Sequence, residues 1–371
     1  MSKSLENPKV FNQTNSIIEG WYWALQSHEL KRGQVKHAEI MGKKLAIFRG
    51  KDNKVRAFDA FCPHMGAHLA EGKVEGNELR CFFHHWKYSA DGELNDIPCR
   101  KHAQNVSAKV ETYPIEESFG LIWIWTGKTA KRGLPYAPEL KDFDTDSMLG
   151  KPYVKECHPN VMMINAIDAH HFSSVHKLPV NLELIPNVID QNTIEFSNIT
   201  KVPESSLLTR FIGLFYNGPL TYSLCYHNAT TGTVTLGPDF LHFYIMFAIR
   251  SNEKGQAEGQ TVLLTKKRKG ILGKVFNSII LRATRIVGNY FAKGDTEVFK
   301  TINFKFKTPI REDYPIIKFI QHAEKQETCN WGYAKKVDAQ SIDANQLNFI
   351  NQLLNHSSEI NTKLETENTE Q

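Results

Sequence analysis

Two short segments that each contain cysteine and histidine restrict what this chain can fold into more than any other feature. Residues 62–68 read C-P-H-M-G-A-H and residues 81–86 read C-F-F-H-H-W, so the spacings are C-x-H and C-x2-H. Two such loops can clamp a binuclear iron–sulfur centre from both sides, with two thiolates on one iron and two imidazoles on the other. The fold must therefore bring both loops to one place.

A zinc knuckle made of two cysteines and two histidines is the alternative interpretation of these loops. Zinc fingers usually pair Cys with Cys and His with His along the chain, whereas here each segment contains both residue types. Neutral imidazoles in place of thiolates lower the negative charge of an iron–sulfur cluster and raise its reduction potential. The mixed spacing favours such an electron-accepting cluster.

A second group of metal-binding residue types lies in residues 165–176, which contain an amide, a carboxylate and three imidazoles. On one helix Asn165, Asp168 and His171 would share a face, because they are spaced by three. His176 follows His171 by five, so both imidazoles reach one ion only where the helix is distorted or the side chains converge in a cleft. Two His with a later carboxylate suit a non-haem Fe(II) site that activates oxygen. A zinc site or a pH-sensitive helix would also fit this segment alone.

Length and composition exclude several classes of protein. A chain of 371 residues usually forms two domains. Its 41% hydrophobic and 23% charged residues are typical of a soluble globular protein, and a net charge of +5 is too small for a nucleic-acid-binding surface. No apolar run approaches the roughly 20 residues that span a bilayer. Since the first 16 residues show no export or transit signal and the six cysteines are scattered, we expect a cytoplasmic protein.

Alternating and apolar segments predict two mainly β regions. Short antiparallel strands are expected at residues 21–25, 35–40, 44–49 and 55–58, and one apolar strand at 116–125. Further strands at 207–215, 220–226, 233–236 and 240–250 suit a curved sheet around a hydrophobic cavity. We divide the chain into an N-terminal extension (1–16), a first domain (17–127), a second domain (128–356) that begins with a Lys-, Gly- and Pro-rich linker, and a disordered polar tail (357–371).

With these motifs in order, the chain resembles the Rieske-type non-haem iron oxygenases, the terminal α components of ring-hydroxylating or C–H-oxidising systems. The resemblance rests on C-P-H-M-G-A from Cys62, on Cys81-x2-His84-x-Trp86, and on Asn165-x2-Asp168-x2-His171-x4-His176. It covers most of residues 17–300. It implies an α+β chain with an N-terminal all-β Rieske [2Fe-2S] domain and a C-terminal helix-grip catalytic domain, an antiparallel sheet with helices. The first motif is similar to the steroid-hydroxylase and sterol-desaturase branch.

For the cluster, the resemblance implies that one iron is bound by Cys62 and Cys81 and the other by His64 and His84. The chain departs from the family pattern at two positions. Phe82 stands where the family usually has proline, and His85 where it has glycine or a polar residue. His85 is therefore a rival ligand, although the C-x2-H spacing favours His84.

For the second centre, the resemblance implies that His171 and His176 hold a mononuclear Fe(2+). His170 is a rival, but the D-x2-H spacing favours His171. Asp168 and Asn165 are the candidate catalytic residues. The Asp168 carboxylate would hydrogen-bond the iron-bound histidine of its own subunit and contact a cluster histidine of a neighbouring subunit, which implies a head-to-tail homotrimer. Asn165 would lie near the iron without being a firm ligand.

The third iron ligand must come from far downstream. Residues 294–299 contain two carboxylates, Asp295 and Glu297, before an apolar pair. The family's ligand is an Asp two to three residues before such a pair, so the resemblance favours Asp295 and leaves Glu297 in reserve. The alternative for each is a solvated carboxylate near a helix start.

Residues 266–291 predict a basic amphipathic helix, because K-K-R-K precedes apolar residues at helical spacing. We favour a helix that packs over the substrate pocket and leads to Asp295. The alternative is peripheral contact with a membrane surface, where the helix would collect a lipophilic substrate.

These parts together predict a terminal oxygenase. A ferredoxin or flavin reductase must supply electrons, since no G-x-G-x-x-G fingerprint occurs in the chain. We expect O2 as the oxidant and a hydrophobic aromatic or steroid-like molecule as the substrate, with hydroxylation, demethylation or desaturation as the outcome. Two other classes remain: an electron-transfer protein with a Rieske centre alone, and a zinc-binding interaction protein.

Overall fold

The structure is a computed structural model that describes residues 8–99, 106–177, 182–201, 219–238 and 240–333. The strand predicted at 207–215, residues 334–356 of the predicted second domain and the predicted tail at 357–371 lie outside the described residues. The α-helices of the described chain are α1 (Pro159–Asn165), α2 (Ala169–Ser174), α3 (Gly270–Thr301) and α4 (Tyr314–Glu324). None of these helices is both long and apolar enough to span a membrane.

The N-terminal region is built from short antiparallel strands. They are β1 (Ile17–Ile18), β2 (Trp21–Gln26), β3 (Val35–Ile40), β4 (Lys43–Arg49), β5 (Val55–Asp59), β6 (Lys73–Glu75), β7 (Glu78–Arg80), β8 (Lys87–Tyr88), β9 (Leu94–Asp96), β10 (Thr112–Tyr113), β11 (Ile115–Ser118) and β12 (Leu121–Trp125). Three sheets have the orders β10-β5-β4-β3, β11-β12-β2 and β6-β7-β8-β9. One cysteine loop follows β5 and the other connects β7 to β8, so the sheets position both.

The single strand predicted at 116–125 is wrong, because this segment is a two-stranded hairpin. Phe119 and Gly120 adopt left-handed backbone with φ of 58° and 79°, and Ser118 pairs with Leu121 across the turn. Two consecutive residues of positive φ fit the twist of a tight hairpin. Every residue of β12 is buried because its two faces pack into two different cores, which explains its continuous apolar sequence.

The second region is one eight-stranded antiparallel sheet with helices. Its strands are β13 (Thr145–Leu149), β14 (Tyr153–Lys155), β15 (Ile185–Asp190), β16 (Thr193–Lys201), β17 (Pro219–His227), β18 (Thr231–Pro238), β19 (Phe243–Ser251) and β20 (Ala257–Lys266). The order is β13-β20-β19-β18-β17-β16-β15, and β14 also pairs with β20. Helix α3 packs on β19 and β20. An all-β first region followed by a sheet with helices confirms the predicted α+β fold class.

Both ends of the described chain cross between the two regions. Phe11, in the predicted N-terminal extension, is 1% exposed in the core of the second region, where its backbone N–H donates to Glu324 at 2.6 Å. Strand β21 (Thr328–Cys329) pairs with β1, and Trp331 packs into the first region's core. The first described residues pack in the second region and the last ones in the first. The predicted domain boundaries at residues 17, 128 and 357 therefore remain predictions.

Candidate metal centres

The first cysteine loop is a tight turn that buries its sulfur. The Gly66 N–H donates to the Cys62 carbonyl at 2.8 Å, and the Cys62 N–H donates to the Ala67 carbonyl at 2.9 Å. Gly66 has φ of 75°, which most side chains disfavour. Cys62 is 3% exposed, whereas His64 is on the surface. The loop thus holds its thiol inward and its imidazole at the protein surface.

The second cysteine loop has the same arrangement. The Cys81 N–H donates to the Trp86 carbonyl at 2.8 Å, and Cys81 is 2% exposed. Backbone N–H groups of Phe83 and His84 hydrogen-bond to the Cys81 sulfur. Such donors favour a thiolate, although burial and the neighbouring Cys62 raise the pKa of this thiol.

The two loops face each other as two pairs of like groups. The ring centroids of His64 and His84 lie 4.8 Å apart at the surface, and His64 stacks on Trp86 at 4.1 Å with 5° between the planes. Below them, the Tyr88 hydroxyl lies 3.0 Å from the Cys62 sulfur. Two buried thiols that repel each other when ionised, beneath two imidazoles, are a donor set that fits a [2Fe-2S] cluster.

The segment predicted to carry Asn165, Asp168 and His171 on one helix face is instead split into two helices. Helix α1 ends at Asn165, and Asp168 caps α2 by accepting the His170 N–H at 3.0 Å and the His171 N–H at 3.4 Å. A short polar side chain in extended backbone favours this N-cap over a continuous helix. Helix α2 then ends at Ser174, before His176. This break lets two imidazoles five residues apart converge.

The imidazoles of His171 and His176 point their Nε2 atoms at each other, 3.2 Å apart. The Asp295 Oδ1 lies 3.0 Å from the His176 Nε2 and 3.7 Å from the His171 Nε2. Asn165 approaches the same point, with its Nδ2 3.4 Å from the His171 Nε2. Both histidines are 6% exposed. Three possible ligand atoms therefore meet in a buried place.

The protonation of these groups suits a cation. The His171 Nδ1 donates to the Asp168 carbonyl at 2.6 Å, which leaves the lone pair of Nε2 directed at the cluster of ligand atoms. Burial lowers the pKa of His176 and favours its neutral form, although Asp295 acts in the opposite direction. Within the described residues, the buried Asp295 Oδ1 accepts no hydrogen bond and faces the Nε2 of His176. Two imidazole nitrogens and a carboxylate oxygen that converge in this way fit Fe(2+).

Helix α3 supplies the carboxylate from within its length. Asp295 lies well inside α3, which does not support the alternative of a solvated group at a helix start. Glu297 is instead exposed and pairs with Lys300 at 2.7 Å. A methyl group on Gly294 would lie 3.2 Å from ring atoms of His176 and 3.0 Å from Val175. The absence of a side chain at Gly294 thus permits the close approach of the helix to the imidazole.

Asp168 is placed differently from the role that the sequence suggested. Its backbone carbonyl, rather than its carboxylate, accepts the ring N–H of His171, while the carboxylate caps α2. Asp168 still orients the His171 imidazole, because a backbone carbonyl that accepts the Nδ1–H fixes the tautomer as well as a carboxylate does.

An apolar cavity of about 740 Å³ opens beside Asp295 and both histidines. Aromatic and aliphatic side chains from α2, α3 and the sheet line this cavity: Phe172, Tyr222, Leu236, Phe247, Leu263 and Phe291. The sequence analysis did not identify these residues, because no local pattern distinguishes a cavity-lining strand residue from a core residue. A cavity of this size and character suits a hydrophobic small molecule.

Comparison with known proteins agrees with this geometry. Residues 20–114 match the Rieske [2Fe-2S] domain family. The chain is 33% identical to cholesterol 7-desaturase nvd of Bombyx mori over 161 residues, which is 42% of this chain and 35% of that protein. It is 30% identical to a probable 3-ketosteroid-9-alpha-monooxygenase oxygenase component of Rhodococcus rhodochrous over 163 residues, 42% of this chain and 41% of that one. Each aligned stretch spans less than half of the relative's length.

Solved structures share the fold over most of the chain. NdmA of Pseudomonas putida, solved with caffeine, covers 81% of this chain and 88% of its own, with a TM-score of 0.58 and 17% identity. Dicamba monooxygenase bound to 3,6-dichlorosalicylic acid covers 85% of this chain and 97% of its own, with a TM-score of 0.57 and 18% identity. At these identities the likeness concerns the fold alone.

Proposed function

We propose that this chain, which belongs to the Rieske-type non-haem iron oxygenases, is the terminal oxygenase of a system that uses O2. Its electrons would come from an external NAD(P)H-dependent reductase or ferredoxin. The observation that carries the proposal is the combination of two features in one chain. One is a pair of facing Cys–His loops, and the other is a buried group of two histidines and a carboxylate that borders an apolar cavity.

We assign the ligands from the placement of the side chains. Cys62 and Cys81 would bind one cluster iron and His64 and His84 the other, while His171, His176 and Asp295 would hold the mononuclear iron. When bound, the cluster supplies single electrons and the iron supplies a site for oxygen activation. The facing rings of His64 and His84 favour His84 over His85.

The substrate is proposed to be a hydrophobic aromatic or steroid-like molecule. Two relatives are named for sterol or ketosteroid oxidation, and the oxygenase subunit of a 3-chlorobenzoate-3,4-dioxygenase from Comamonas testosteroni is 30% identical over 174 residues, 46% of this chain and 40% of that subunit. The rings of Phe172 and Phe291 stand edge-on at 6.3 Å beside His176, where they would exclude water from a bound substrate. Hydroxylation, demethylation and desaturation are all compatible with this site.

The assembly is proposed to be a head-to-tail homotrimer. His64 and His84 are exposed and are surrounded by exposed apolar side chains, among them Met65 at 67% and Phe82 at 51%. Such a rim suits docking against a protein surface. In such an assembly the Asp168 carboxylate of one subunit would contact His64 or His84 of its neighbour, and Asp168 and His171 would then hold the path for electrons between the two candidate centres. Peripheral contact of residues 266–291 with a membrane surface is proposed separately from the trimer.

Two other functions are less well supported. A Rieske-type electron carrier has no use for the group of His171, His176 and Asp295, whose ligand atoms all lie within 4.8 Å of one another. A zinc-binding interaction protein has no use for an apolar cavity beside that group.

The proposal is tested by anaerobic reconstitution with iron and sulfide, followed by product analysis of a panel of hydrophobic compounds with a surrogate reductase. His171→Ala should lose the mononuclear iron and all product while the cluster spectrum stays unchanged. The matched control is His170→Ala, which changes the adjacent, exposed histidine and should retain both. Zinc in the purified protein, absence of acid-labile sulfide, or full product formation by His171→Ala would each exclude the proposed function.

A further inference from the structure

Helix α3 presents several apolar side chains to the outside, whereas its Ile280, Leu281 and Phe299 are buried. Leu272 is 87% exposed, Ile286 is 72% exposed and Ile279 is 58% exposed. Asn277 and Thr284, by contrast, are buried at 1% and 0%. A helix that only covers a pocket shows the opposite pattern, with apolar residues inward and polar residues outward. The helix does border the pocket and carry Asp295, as the sequence predicted, but these apolar residues face away from the pocket.

The exposed residues form one continuous stripe, which we call the outer stripe: Leu272, Val275, Phe276, Ile279, Ile286 and Tyr290. Apart from the neighbours Val275 and Phe276, successive members are three, four or seven residues apart, so they lie on one face of the helix. From Leu272 to Tyr290 the stripe is about 27 Å long at 1.5 Å per residue. A contiguous apolar surface of this length is rare on a monomer and marks an interaction site.

The chain segment that contains the outer stripe carries only positive charge, although Asp144 and Asp146 from a neighbouring segment approach its first turns. Residues 266–294 contain eight Lys and Arg and no Asp or Glu. Lys274, Arg282 and Lys293 are exposed and recur along one flank of the stripe. An apolar stripe bordered by cations fits the headgroup region of an anionic bilayer, where acyl chains accept the stripe and lipid phosphates accept the cations. A second copy of this basic chain offers poorer charge complementarity.

The opposite face of the same helix borders the cavity. Gly288, Asn289 and Ala292 line the cavity beside Asp295. A single helix thus separates the candidate iron site from the outer stripe. If the stripe lies in a bilayer, a lipophilic molecule can leave the acyl region along α3 and enter the cavity without crossing water.

We propose that α3 docks the protein on an anionic membrane surface and that the substrate is a membrane-dissolved lipophilic molecule. The docking stands on the outer stripe and its charges, whereas the statement about the substrate rests on the proposed oxygenase function. Contact is peripheral, because α3 lies along the surface of the second region and packs on β19 and β20.

The test is co-sedimentation of the reconstituted full chain with vesicles of phosphatidylcholine alone or of an equal mixture with phosphatidylglycerol. Binding to the mixed vesicles and its weakening at high salt are expected. Leu272→Ser combined with Ile279→Ser should weaken binding about tenfold or more, since both apolar side chains leave the acyl region. Lys274→Gln combined with Arg282→Gln should weaken it by about tenfold or more at low salt.

The matched control is Ile185→Ser combined with Val188→Ser, two apolar residues of β15 that are 66% and 59% exposed away from α3. It should bind vesicles as the unchanged protein does. The cluster absorbance reports that each variant is folded, and light scattering after size-exclusion chromatography reports the oligomeric state.

Vesicle binding that the outer-stripe variant retains in full, or no binding to either vesicle, overturns the proposal. Dissociation of the assembly by the outer-stripe variant also overturns it, because a second copy then covers the stripe. Failure of the oxygenase function is recognised separately: vesicle binding would persist while no compound is oxidised and no mononuclear iron is held.

Discussion

Gly294→Ala tests whether the position of helix α3 controls the iron site. The added methyl group would lie 3.0 Å from the Val175 Cγ1 and 3.2 Å from the Cε1 and Nδ1 of His176, where ordinary contact is 3.4–4 Å. Either the helix or the imidazole must therefore move by a few tenths of an ångström. Because Asp295 is the next residue, that movement changes the distance between its carboxylate and His176.

Two opposing energies decide the stability of this variant. Replacing glycine by alanine inside a helix stabilises it by about 1 kcal/mol. Overpacking against a buried ring costs about 1–3 kcal/mol. The net change in the free energy of unfolding is therefore small, whereas a metal site tolerates only about 0.2 Å in its ligand distances. We expect Fe(2+) affinity to fall about tenfold or more, as for other changes that displace a ligand's support.

The assay is anaerobic Fe(2+) titration against a competing chelator, with the cluster spectrum as an internal reference. Gly288→Ala is the matched control, since it has the same helix propensity gain but meets only the flexible end of Ile245, at 3.2 Å. Equal iron affinity in both variants would refute the reasoning that the close approach at Gly294 sets the geometry of the site.

Three other outcomes follow from single contacts. Asp295→Asn should lose the mononuclear iron while Glu297→Gln keeps it, as iron analysis will show, because only Asp295 lies beside the histidines. Tyr88→Phe should make the cluster potential more negative in a redox titration at unchanged iron content, because a hydrogen bond to a ligand sulfur is lost. Burial lowers the pKa of His158 and of His227 from 6.5 to about 4, so the unfolded chain binds their protons first as the pH falls. As the pH falls from 6.5 to 4, each of these two histidines should therefore lower the free energy of unfolding by about 3 kcal/mol. Above pH 6.5 neither should change it, and denaturant titrations at several pH values measure the difference.

The sequence alone determined the chemistry of both centres. Mixed Cys–His loops and a His pair near an Asp restrict the metals that can bind, because ligand type is a property of the residues themselves. The strand at 35–40 was also predictable from local patterning, since its residues 37–40 alternate between exposed and buried. The all-β first region and the sheet of the second follow from such patterns.

Only the tertiary structure decided how these residues meet. Local sequence does not separate Asp295 from Glu297, and only the resemblance favoured Asp295. The rotation of α3 directs Asp295 to the histidines and Glu297 to solvent. The break between α1 and α2 depends on the Asp168 cap, and the hairpin at Phe119 on two residues of positive φ. The outer stripe had the periodicity of a buried helix face, and periodicity fixes which residues share a face without fixing what covers it. That choice belongs to packing between elements far apart in the chain, which local sequence does not encode.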